Sequence, residues 1–62
     1  MAPHPPKFKA GDLLRHTEGR AHLFIVAVSD LYYETMVLTA SVTPYRKTTT
    51  VKVIDWAYEL AT

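Results

Sequence analysis

The chain contains no cysteine, which excludes disulfides and cysteine-ligated zinc as sources of stability. Neither sign of charge dominates: seven Lys and Arg against six Asp and Glu leave a net charge of +1. Bulk charge therefore implies neither nucleic acid nor an anionic membrane as a partner. No apolar run approaches the roughly 18 residues of a membrane-spanning helix. No apolar h-region follows the N-terminus either, so the expectation is a chain made in the cytoplasm, without a membrane partner. The three histidines, His4, His16 and His22, include no close-spaced pair and form no recognisable ligand set with the scattered carboxylates. Ser29 and Ser41 lack a nucleophile elbow, and a Gly-rich phosphate loop is missing. The expectation is a non-catalytic protein with no metal and no cofactor.

What is present describes one small domain. Sixty-two residues, 48% of them hydrophobic and 21% charged, suit a globular chain near the lower limit for folding alone. Extra stability must come from good packing or from association with another chain. Residues 1–7, Met1-Ala2-Pro3-His4-Pro5-Pro6-Lys7, hold three of the four prolines and predict an extended, polyproline-like arm. The domain proper is expected over residues 8–62.

Gly11-Asp12 is a turn signal, with Phe8 and Leu14 beside it as candidate core residues. Thr17 to Arg20 forms the next loop, where Gly19 is expected to supply a positive φ. Leu23-Phe24-Ile25-Val26-Ala27-Val28 is a continuous apolar, β-branched run and predicts a strand from about Ala21 to Ser29. Asp30 to Glu34 closes a hairpin, with Tyr32 and Tyr33 near its tip. Thr35 to Val42 alternates, and Met36 and Leu38 are expected to face the core. Lys47 to Ile54 reads as a threonine-rich strand with Val51 and Val53 inward. Asp55 is expected to cap one helical turn in which Trp56 lies over the core, and Leu60 adds a last inward residue. Five short strands with tight turns predict an all-β, strongly bent barrel.

Phe8-x-x-Gly11-Asp12-Leu13-Leu14-Arg15, then Gly19 leading into an apolar strand, then Ile54-Asp55 and Tyr58-Glu59-Leu60, resemble a known group. These residues look like the small five-stranded SH3-like barrels of bacteria and phages, which have an F-x-x-G-D-hydrophobic-hydrophobic opening and a one-turn helix before the last strand. The resemblance implies a fold and no activity. It places Leu23, Ile25 and Ala27 toward the core and Phe24, Val26 and Val28 outside. Two departures are His22, where such proteins often have glycine, and Val26, where they often carry a charge.

An outer apolar stripe of Phe24, Val26 and Val28 points to an interface, unless sharp bending lets both faces of this strand pack within the barrel. Exposed Tyr32 and Tyr33 would add aromatic anchors. Pro3, Pro5 and Pro6 of the arm complete the expected partner-binding set. The expected role is a protein-interaction or assembly subunit that self-associates or joins a larger chain. The resemblance adds a phage structural or accessory protein, with the virion as a destination. The alternative is a small DNA- or RNA-binding barrel, in which Tyr45, Arg46, Lys47 and Lys52, joined by Arg15 and Arg20, offer cations beside an aromatic ring.

Overall fold

The computed structural model describes residues 5–19, 21–40 and 42–61. Five strands form one antiparallel sheet: β1 (Leu13–His16), β2 (His22–Val28), β3 (Tyr32–Leu38), β4 (Tyr45–Thr50) and β5 (Tyr58–Leu60). One helix, α1 (Val51–Ala57), joins β4 to β5. The strand order is β4-β3-β2-β1-β5. The mostly-β class, the strand count and the helix before the last strand agree with the sequence expectation. β4 and β5 are the two edges, and among the described residues no ladder joins them.

The opening Phe8-x-x-Gly11-Asp12 segment is a tight turn sewn onto β2. The Lys9 amide donates to Asp12 Oδ2 and the Asp12 amide to the Lys9 carbonyl. Gly11 has φ +94°, a conformation that side chains with a Cβ disfavour. With it, the Gly11 amide reaches the Ile25 carbonyl at 2.8 Å, while the Ile25 amide donates to the Asp12 carbonyl at 2.9 Å. The positive φ expected at Gly19 therefore falls at Gly11. At Gly19 an added Cβ would lie 3.2 Å from His16 Nδ1, a close contact to which the His16 side chain would have to yield.

β2 carries the organising irregularity. Leu23 pairs with Val37, Phe24 with Met36 and Ile25 with Thr35; the register then shifts, and Ala27 pairs with Glu34 and Val28 with Tyr33. Val26 is the extra residue of a bulge. Since paired residues share a face, Phe24 and Val28 point to opposite sides of the sheet. The predicted stripe Phe24-Val26-Val28 is thus broken, and Ala27, expected inward, is exposed. Leu23 and Ile25 are buried as expected.

The core contains Phe8, Leu14, Leu23, Ile25, Tyr33, Val37, Val51 and Ile54. On β3 it takes the opposite phase from the one predicted: Tyr33, Thr35 and Val37 are buried, and Met36 and Leu38 are half-buried on the other face. Thr35 tolerates full burial because its Oγ1 donates to the Lys47 carbonyl at 2.8 Å, leaving no orphan hydroxyl.

The predicted fourth strand, Lys47 to Ile54, is cut in half. Thr50 has extended φ and ψ, and its Oγ1 accepts from the Val53 amide, capping a helix that begins at Val51. Helical spacing turns Val51, Ile54 and Ala57 inward. Val53, Leu60 and Trp56, all expected inward, are exposed. Asp55 is not the cap.

The helix makes a clear prediction. Ile54→Ala should cost about 2–5 kcal/mol in denaturant unfolding, while Val53→Ala stays within about 0.5 kcal/mol. A strand through this segment would reverse that order.

Candidate functional site

The site is built around the hydroxyl of Tyr33. This side chain is 0% exposed, so it leaves the expected surface set and becomes part of the core. Its hydroxyl donates to Asp55 Oδ1 at 2.7 Å and accepts from the Phe8 amide at 3.0 Å. The other oxygen of Asp55 accepts from the Lys7 amide at 3.2 Å. One phenol and one carboxylate thereby tie the stem of the proline segment to β3 and α1. The Phe8 ring tilts against Tyr33 with centroids 6.2 Å apart, and the Lys7 ammonium sits over Phe8 at 5.4 Å.

A broad groove of about 1060 Å³ opens beside this clasp. Pro5 and Pro6 form one wall, Leu31 and Tyr32 another, and Val51 and Trp56 of α1 a third. The Ser29–Tyr32 turn holds the second wall: the Ser29 amide donates to the Tyr32 carbonyl, and Ser29 Oγ accepts from the Tyr32 amide. The Leu31 carbonyl accepts from the Val51 amide at 2.9 Å, locking the turn to the helix start. Leu31 is 61% exposed and Trp56 85% exposed. Lys7, Lys52, Asp30 and Asp55 supply the charged lining.

Of the predicted partner-binding residues, Pro5, Pro6 and Tyr32 meet in this groove. Pro3 lies outside the described residues. Phe24 is exposed on the outer sheet face, in a row with Leu13 and Met36; Val26 is half-buried, and Val28 is exposed on the other side of the sheet. Sequence reasoning missed Leu31 and Trp56 as surface residues. Trp56 was legible from helical spacing once Val51, Ile54 and Ala57 are placed inward.

The predicted basic set is not brought together. Arg15 and Arg46 lie on the outer sheet face, where Arg15 Nε is 3.5 Å from Glu59 and Arg46 Nη1 is 2.9 Å from Glu34. Tyr45 and Lys47 pair with Val37 and Thr35, which places them on the core side of β4. Lys52 belongs to the groove, and Arg20 lies outside the described residues. Among the described residues, no group of three or more His, Cys, Asp or Glu is placed to hold a metal ion. No helix among them is long and apolar enough to cross a membrane.

Comparison of the chain with protein-family models, with curated proteins and with solved structures finds no match.

The clasp has a titration signature. Burial, followed by the hydrogen bond to Asp55, pushes the Tyr33 hydroxyl from its ordinary 10.0 up to about 12, although the Phe8 amide pulls the other way. A folded value above the unfolded one means that the neutral phenol stabilises the fold fully below about pH 10. That contribution is lost as pH rises through about 12. Tyr58, also raised by burial and by Tyr45 beside it, acts in the same direction. Tyr33→Phe should destabilise the protein by about 1–2 kcal/mol at neutral pH and flatten the alkaline fall in stability followed by circular dichroism. Asp55→Ala should speed hydrogen exchange at the Lys7 and Phe8 amides more than at Ile25, whose bonds to the Gly11-Asp12 turn it leaves intact. Trp56→Ala should leave stability within about 0.5 kcal/mol of the parent.

Proposed function

We propose that this chain is a non-catalytic protein-interaction or assembly subunit that docks through the groove at the stem of its proline segment. The observation that carries the reading is the placement of Leu31, Tyr32 and Trp56. Three large apolar or aromatic side chains stand exposed beside Pro5 and Pro6, although none of the three serves the core. Tryptophan and tyrosine are favoured anchors because they bury much surface with few rotors to freeze. The groove rests on the Tyr33–Asp55 clasp, so a partner meets a preorganised surface. Exposed Leu13 and Phe24, in a row with half-buried Met36, offer a second apolar contact for an assembly.

The occupant we favour is a protein chain, either a second copy of this one or a larger partner. The strand order and the helix before β5 support an SH3-like barrel; the finer role we propose, a phage structural or accessory protein carried in the virion, rests on the resemblance to that group alone. Less supports a DNA- or RNA-binding role, since its cations are divided among three surfaces and two of them are occupied by glutamates.

Sedimentation of the full chain should show self-association at high concentration, or a stable complex with a larger chain. Leu31→Ser combined with Trp56→Ala should weaken that association by about tenfold or more, and removal of residues 1–6 should weaken it too. A monomer at millimolar concentration whose binding is unchanged by either alteration sinks the proposal. Salt-sensitive retention of single-stranded DNA, lost in Lys47→Ala, would favour the nucleic-acid reading instead.

A further inference from the structure

A second cavity of about 290 Å³ lies where β4 and β5 stay unpaired. Along β4, Tyr45, Lys47 and Thr49 alternate onto the core side, as their pairing with Val37, Thr35 and Tyr33 requires. They form one wall of the cavity. Leu23, Val37, Val53 and Ile54 make its apolar floor, with Thr39 and Tyr58 at the remaining sides.

We propose that this cavity is a binding site for a small apolar carboxylate, with Lys47 as the counter-ion and Thr39 and the tyrosines as hydroxyl donors.

Among the described residues Lys47 is the one ionisable cation on the cavity wall, and no aspartate or glutamate lines it there. Among the described residues Lys47 enters no ion pair, whereas Arg15 and Arg46 each have a glutamate. A single ammonium matches one negative charge; a doubly charged phosphate would be under-compensated against so apolar a floor. Hydrogen-bonding capacity points the same way. Thr39 Oγ1 is buried and has no hydrogen-bond partner among the described residues, an arrangement that folded proteins avoid. An ionised carboxylate is acceptor-only and accepts from both hydroxyl and ammonium groups. The phenol of Tyr58 is raised by burial and by the neighbouring Tyr45, so Tyr58 stays protonated and able to donate at neutral pH. Finally, the volume lies at the small end for ligand sites, about 300 Å³. That suits a one-ring or short-chain acid whose hydrocarbon part meets Leu23, Val37, Val53 and Ile54.

The test is a titration of the ¹⁵N-labelled full chain with benzoate, followed by NMR, with benzyl alcohol as the neutral control at matched ionic strength. Benzoate should give saturable shifts at Ala21, Val37, Thr39, Lys47 and Tyr58, and benzyl alcohol should bind about tenfold more weakly. Lys47→Met should erase that preference, while Lys47→Arg retains most of it. Lys47 is exposed, so unchanged amide positions at Leu14 and Ile25 will verify that both variants fold. Thr39→Val should weaken benzoate by removing the hydroxyl donor. Absence of saturation, equal affinity for the alcohol, or shifts confined to Leu31, Tyr32 and Trp56 would each overturn the assignment.

Discussion

A single buried phenol holds the two ends of this small fold to its middle. The Tyr33 hydroxyl accepts from the Phe8 amide and donates to Asp55, so the opening segment, β3 and α1 meet at one oxygen. In a chain of 62 residues, burial of apolar surface alone leaves little margin. A fully buried hydroxyl is tolerable only because donor and acceptor are both matched. The rest follows from that constraint. Asp55 must face Tyr33, which sets the rotation of the helix. Val51 and Ile54 then pack inward, and Trp56 is carried outward.

The exposed aromatic surface is therefore a geometric consequence of how the core is closed. The same rotation sets Trp56 beside Leu31, because the Leu31 carbonyl receives the first helical amide. Elsewhere the edges β4 and β5 stay apart and expose a corner of the core near Lys47 and Thr39. The two concave regions differ in character. One is broad and aromatic, at the foot of the proline segment; the other is small, with one cation and one unmatched hydroxyl among the described residues.

Much of the architecture was legible in the residue pattern. The Phe8-x-x-Gly11-Asp12 turn, the long apolar strand, the five-strand count and the short helix before the last strand all stood in the sequence as physical signals. Phase and surface were harder. Alternation in β3 admits two faces, and hydrophobicity favours the one with Met36 and Leu38. The structure chooses the other because Tyr33 and Thr35 each find a partner for their hydroxyls. The bulge at Val26 carries no glycine to announce it, so the side of Val28 depended on pairing with β3. Val51-Lys52-Val53-Ile54 favours a strand on propensity, and tertiary packing overrides it. The capping threonine was visible, but it lay within a run of three threonines that reads equally as strand. The basic residues failed as a set because charge in a sequence does not disclose which arginine already has a glutamate across the strand.

The reach of the Tyr33 hydrogen bonds also bears on how the chain finds its fold. They join residues 25 and 22 positions apart, whereas β2 and β3 are linked by a turn of only a few residues. Local hairpins form at small loop-closure cost, and distant contacts form against a larger one. The central strands thus supply the surface on which both chain ends must converge. Until Phe8 and Asp55 arrive together, the Tyr33 hydroxyl remains with water. Only with both ends docked are the donor and the acceptor capacity of this one hydroxyl met within the chain.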